Sequence, residues 1–103
     1  MSDLTLAWHS MGARPMQKPR GSRAAWRLRA PRRSTRDWCI EANHGSYLGE
    51  HPYNLGDDAW RISVQFLDVD RDVFVESKFE IATSEVDAVR KVHRLAEMIG
   101  DES

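Results

Sequence analysis

The sequence predicts an α+β fold: a three-stranded antiparallel sheet, four-stranded if Trp26 to Ala30 docks, packed by one C-terminal helix and preceded by a basic, largely irregular N-terminal arm. Three observations predict it. Trp60, Ile62, Val64 and Phe66 alternate with Arg61, Ser63 and Gln65, the period of a strand with one buried and one wet face. A second alternating run follows a short charged turn, Asp68 to Asp72, so the two runs make a hairpin. From Ser84 to Ile99 the pattern changes to the helical period. Val86, Val89, Val92, Leu95, Ala96 and Ile99 share one face, and Arg90, Lys91, Arg94 and Glu97 lie opposite.

The elements can be justified in chain order. Leu4, Leu6 and Trp8 alternate with Thr5, Ala7 and His9, which reads as a strand pattern. Gly12, Pro15, Pro19, Gly21 and Pro31 then interrupt regular structure. Between them, Trp26, Leu28 and Ala30 alternate with Arg27 and Arg29. That run is the fourth strand if it docks, an edge strand guarded by its arginines. The alternative for it is a disordered arm carrying two chance aromatics. Asp37 to Asn43 is a strand, with Trp38, Ile40 and Ala42 on one face and Cys39, Glu41 and Asn43 on the other. His44 to Asp58 is rich in Gly, Pro and Asn and reads as a long loop. In the last strand Val73, Val75, Phe79 and Ile81 are expected inward, and Phe74, Glu76, Lys78 and Glu80 outward. Ser84 caps the helix with Asp87 three residues on, Asp87 and Lys91 form an i,i+4 pair, and Gly100 stops the helix.

Charge divides the chain at the same place as pattern. Residues 1–36 carry nine Arg and Lys against one acid, a net of +8, while residues 37–103 carry six against fifteen, a net of −9. The organisation expected is therefore a basic arm over 1–36, partly or wholly disordered, and a small acidic β-β-β-α domain over 37–103. A domain of about 65 residues buries a marginal core and often needs a metal, a partner or a folded-back arm. Arginine outnumbers lysine twelve to three along the whole chain, so coding composition competes with phosphate recognition as its cause. One cysteine, Cys39, permits no internal disulfide and suits a reducing compartment. The absence of an apolar signal core or spanning run points to a cytoplasmic protein.

Three constellations bear on chemistry. Cys39, His44 and His51 are zinc-competent ligand types, but zinc wants four, and the fourth would come from His9, His93, Glu50 or Asp57. The spacing Cys-x4-His-x6-His matches no strong finger pattern, so a buried thiol and two loop histidines compete with a metal site. No cofactor is expected, with zinc as the one candidate. Asp68, Asp70 and Asp72 have the spacing that opens a calcium loop. Val73 and Phe79 stand where that loop needs Gly and a carboxylate, so the string is a solvated turn. Arg20, Arg23, Trp26, Arg27, Arg29, Arg32, Arg33 and Arg36 could neutralise phosphates and stack on bases. Fifteen carboxylates in the domain oppose that use. His93, beside Glu97 on the next turn, reads as a histidine at the core's edge. Phosphate-loop, dinucleotide and Ser-His-Asp signatures are absent.

The run Trp38-Cys39-Ile40-Glu41-Ala42-Asn43-His44, His51, the hairpin and the helix with Ser84-Glu85-Val86-Asp87-Ala88 resemble an uncharacterised small-domain family of actinobacteria and their phages. That family shows Cys-Pro-x-Trp-Cys, spaced histidines, strands and a terminal helix. The likeness covers roughly Thr35 to Ile99. Thr35 stands at the family's first cysteine and Arg36 at its proline, so a metal ligand at that cysteine would be missing here. The resemblance implies no activity.

The reading that follows is a small non-enzymatic interaction or regulatory protein, in keeping with a phage-encoded modulator of a host complex. Its partner-binding residues would be Phe74, Arg61, Gln65, Glu76 and Lys78, on the outward face with Ser63 and Glu80. Phe74 is the sharpest of them, a large ring on a polar face. The alternative is a nucleic-acid-binding protein working through the arm. A further alternative is a zinc-stabilised domain. No membrane partner is expected.

Overall fold

The computed structural model describes residues 4–17, 22–31, 36–45 and 59–102. Among them the elements are α1 (Leu4–Ser10), β1 (Arg14–Pro15), β2 (Ser22–Arg29), β3 (Trp38–Gly45), β4 (Trp60–Asp68), β5 (Val73–Ala82) and α2 (Glu85–Glu102). The five strands form one antiparallel sheet in sequence order, a meander from β1 to β5. Both helices lie on one face of it. The class, α+β with an antiparallel sheet and a C-terminal helix, is the expected one. The strand number and the N-terminal half depart from expectation.

The departure begins with Trp8. Its segment alternates like a strand but forms α1, because three alternating residues are too few to fix a period and burial decides. Trp8 is fully buried while Leu6 stays 70% exposed. The Trp8 ring stacks on Trp26 at 5.5 Å and tilts against Trp60 at 5.7 Å. Its indole N–H donates to Glu85 Oε2 at 2.9 Å, tying α1 to the first turn of α2. Gly12 makes the sharp exit possible. At φ +97° it occupies the left-handed region, and the Gly12 and Ala13 N–H groups donate to the His9 and Trp8 carbonyls, a Schellman ending. The stretch expected as an irregular arm thus supplies a helix, two strands and a central core residue.

β2 is also not an edge. It pairs with β3 from Ser22↔Gly45 to Arg29↔Cys39, and the two-residue β1 covers its other side at Arg14↔Arg27 and Pro15↔Trp26. Trp26 and Ala30 pack against the core from this strand, with Leu28 inside it. From β3 and β4 come Trp38, Ile40, Ala42, Trp60, Ile62 and Val64, all buried, and α2 closes the layer with Ala88, Val92, Leu95 and Ile99. Burying each large side chain is worth about 1.5–3 kcal/mol, so this single layer is the main source of stability.

β5 breaks the expected alternation. Val64 pairs with Lys78 but Gln65 pairs with Glu76, so Ser77 is an extra residue, a β-bulge. The bulge flips the strand. Phe74, Glu76, Phe79 and Ile81 share the face of Leu67, Gln65, Ser63 and Arg61. Lys78 and Glu80 turn to the helix side with Val73 and Val75. Glu80 there accepts from Arg94 at 2.8 Å, and Lys91 reaches both Asp87 and the Ile81 carbonyl.

The helix start is the expected one. The Asp87 N–H donates to Ser84 Oγ and Asp87 Oδ2 accepts from the Thr83 N–H. Gly100, however, lies within α2, which runs on to Glu102. Asp68 organises the hairpin turn by accepting from the Asp70 and Arg71 N–H groups, and Asp72 takes the left-handed conformation at φ 56°.

Candidate functional site

Strand pairing places two sets of expected functional residues on the sheet face that neither helix covers. Arg14, Arg27 and Arg29 come from β1 and β2, Cys39, Glu41 and Asn43 from β3, Arg61, Ser63 and Gln65 from β4, and Phe74, Glu76 and Phe79 from β5. The middle of this face is a connected polar network. Arg27 donates through Nη2 and Nε to Glu41 Oε2 at 2.7 and 3.2 Å. Gln65 Nε2 donates to Glu41 Oε1 at 2.8 Å and to Ser63 Oγ at 3.1 Å, and the Cys39 thiol reaches Gln65 Oε1 at 3.6 Å. Glu41 is the hub, joining β2 to β4 across β3.

Toward β5, Arg61 holds Glu76 bidentately at 2.6 and 2.9 Å and lies 4.3 Å from the Phe79 ring centroid. Arg29 lies 5.5 Å over the Phe74 ring. The face therefore ends in two arginine–phenylalanine contacts beside a charge pair. The Arg61 hydrogen bonds hold the Glu76 carboxyl below the ordinary range. Burial, with a smaller contribution from Glu41, pushes the Cys39 thiol up to about 11, so it is protonated at neutral pH. Asn43 Oδ1 is buried and finds no hydrogen-bond partner among the described residues.

Of the partner-face residues named from sequence, Arg61, Gln65, Phe74 and Glu76 lie together here and Lys78 does not. The bulge sends Lys78 to the other side of the sheet, into a groove of about 290 Å³ with Arg36, Phe66, Leu95 and Met98. Of the arginine-rich set, Arg27 and Arg29 reach the open face, while Arg36 sits 4.0 Å over the Phe66 ring. Trp26 packs against the core, its ring stacked on Trp8 and nearly perpendicular to that of His9 at 5.2 Å, rather than standing on the face that carries Arg27 and Arg29. Arg20, Arg32 and Arg33 lie outside the described residues, as does the Arg23 side chain.

The zinc-competent trio is not assembled by the described residues. Cys39 faces the polar network, whereas His44 is on the opposite face of β3, stacked 4.8 Å from Trp60. Their odd separation along one strand forces this. His51 lies outside the described residues, and among those described no group of three His, Cys, Asp or Glu side chains could hold a metal. His93 is 59% exposed at the margin of α2, lining a hollow with Met11, Leu28 and Ala96, with Nδ1 3.4 Å from Glu97.

Sequence reasoning missed Glu41, Phe79, Arg14 and Asn43. Glu41 and Arg27 are fourteen positions apart, and only the β2–β3 register makes them neighbours. Phe79 was hidden by the bulge. No protein-family model, curated protein or solved structure matches the chain. No helix among the described residues is long and apolar enough to cross a membrane.

Proposed function

We propose that this is a small non-enzymatic interaction protein that holds its partner on the open sheet face. The observation that carries the reading is the pairing of guanidinium groups with phenylalanine rings there, Arg29 over Phe74 and Arg61 over Phe79, around the Arg61–Glu76 pair. Arginine and aromatic side chains are the residues enriched in protein interfaces, where they dominate affinity. The one thiol supports a binding role rather than catalysis, being buried, protonated and hydrogen-bonded to an amide. Modulation of a larger protein complex in a reducing compartment is the role that fits.

The test is affinity capture with the full-length chain followed by mass spectrometry. A protein retained by the parent chain and by Lys78→Gln, but lost with Phe74→Ala and with Arg29→Glu, supports the reading. Capture unaffected by the open-face changes overturns it.

A second reading, nucleic-acid binding, draws support from the charge of the same face. Among the described residues it carries Arg14, Arg27, Arg29 and Arg61 against Glu41 and Glu76. The carboxylates of Glu80, Glu85, Asp87 and Glu97 belong to the helix side. Those four carboxylates therefore do not oppose a phosphate at this face. Titration against single-stranded DNA and RNA at two salt concentrations tests it, and no binding at the lower salt removes it.

A further inference from the structure

At the β1 end of the open face the sheet holds an arrangement that its own stability disfavours. Arg14 stands directly opposite Arg27 in the β1–β2 register. Like charges at such a position repel and weaken strand pairing. Arg29 follows two residues after Arg27 on the same face. All three guanidinium-bearing residues line one groove of about 330 Å³ with Gly12, Pro15 and Met16, and none of the described lining residues carries a carboxylate. Glu41 neutralises Arg27 alone, from β3. Among the described residues Arg14, which is exposed, makes no ion pair, and the Arg29 guanidinium has the Phe74 ring as its contact. β1 is two residues long and Arg14 contributes nothing to the core, so packing does not demand an arginine there.

We propose that the groove formed by Arg14, Arg27 and Arg29 binds the phosphate group of a phosphate ester. A phosphate offers several acceptor oxygens to planar guanidinium forks, and its charge converts the repulsion between Arg14 and Arg27 into attraction. Pro15 and Met16 give the groove an apolar wall for the carbon skeleton of the ester. The same chemistry is presented by a free nucleotide and by the backbone of a nucleic-acid strand. The inference goes beyond a protein partner at Phe74 and does not depend on one, since loss of protein capture with Phe74→Ala and loss of phosphate binding with Arg14→Gln are separate results.

The experiment titrates the full-length chain with pyrophosphate, with a mononucleotide and with a twelve-residue oligothymidylate, following backbone amide shifts and the thermal midpoint. Each is run at low and at moderate salt. Saturable shifts centred on Gly12 to Met16 and Arg27 to Arg29 are expected, with a raised midpoint, because a ligand that binds only the folded state stabilises it. Arg14→Gln and Arg29→Gln each weaken binding by about tenfold, the scale of one lost hydrogen bond to a charged group. Lys78→Gln, on the opposite side of the sheet, leaves it unchanged. Without ligand, Arg14→Gln melts no lower than the parent, because it removes repulsion, so weakened binding cannot be ascribed to misfolding. Similar affinity for the mononucleotide and the oligomer assigns the groove to a small phosphate ester. Much tighter, salt-steep binding of the oligomer assigns it to a strand. No saturable binding of any probe at low salt overturns the proposal, and so does binding that Arg14→Gln and Arg29→Gln leave intact.

Discussion

The two faces of the sheet are built on different physics. The helix side is held by burial: Trp8, Trp60, Ile62 and Leu95 are all at most 1% exposed, and the polar groups near them are few. The other side is held by a chain of hydrogen bonds from Arg27 through Glu41 to Gln65, Ser63 and Cys39. Burial is non-directional, and it opposes a slip of one residue, which would turn Ile40 and Ile62 outward. The hydrogen-bonded chain also opposes a slip of two residues, which would keep Ile40 inward but part Glu41 from Arg27 and Gln65. The difference teaches that the apolar face supplies most of the stability of this fold, while the polar face specifies its pairing and presents the groups a partner would meet.

The comparison can be broken first at Trp8. If the helix-side layer carries the stability and the N-terminal segment belongs to it, Trp8→Ala removes about 3–5 kcal/mol, the cost of truncating a buried tryptophan. It also frees the carboxylate of Glu85 from its indole partner. Leu6→Ala, two residues away but largely exposed, changes stability by about 0.5 kcal/mol or less. Chemical denaturation followed by tryptophan fluorescence measures both. Equal effects from the two would make α1 an ornament rather than part of the core. The same logic expects a chain starting at Thr35 to lose cooperative unfolding, since it lacks Trp8, the strand β2 that pairs with β3, and β1 beyond it.

The polar face answers to a smaller change. Glu41→Ala leaves the Arg27 guanidinium and the Gln65 amide without their shared acceptor. The cost is about 1–3 kcal/mol, toward the lower figure because the Arg27 side chain is 42% exposed and can be rehydrated. A double-mutant cycle with Arg27→Ala isolates the pair. Coupling indistinguishable from zero would reduce the Arg27–Glu41 contact to a surface ion pair and remove the register role given to it.

The two faces were unequally legible in the sequence for the same physical reason. Helix-side positions announce themselves by apolar periodicity, which is local. Hence β3, β4 and α2 could be read, and the Ser84–Asp87 cap with them. Trp8 could not be placed, because α1 is seven residues long and its apolar spacing fits a strand as well as a helix. What fixes it is a stack with Trp26 and Trp60, which are 18 and 52 positions away. The open face depends on register throughout. Arg27 and Glu41 become partners only when β2 docks on β3. One extra residue at Ser77 moved Lys78 off the face and Phe79 onto it. A bulge leaves no mark on a sequence in which Ser is as ordinary as Glu or Lys.

The smallest expected effect sharpens the contrast by pH. The Arg61 hydrogen bonds hold the Glu76 carboxyl below its ordinary value of 4.5. A depressed folded-state pKa contributes stability that is fully present above the unfolded value and is lost as pH falls through the folded value. The open face should therefore weaken on acidification below about pH 4.5. On the helix side the Asp87 carboxyl is also held below its ordinary range, the upward push of burial being outweighed by its bonds to Lys91 and to the Thr83 N–H, so substitution of Glu76 isolates the open-face contribution. Glu76 is 36% exposed, so solvent and salt screen most of the effect and it stays within the modest range of surface pairs. Glu76→Gln should flatten the slope of stability against pH between about 5 and 3 while leaving stability at pH 7 nearly unchanged. If the slope is identical in the parent chain and in Glu76→Gln, the Arg61–Glu76 pair is not formed in solution. The open face is then more cationic than the paired geometry implies.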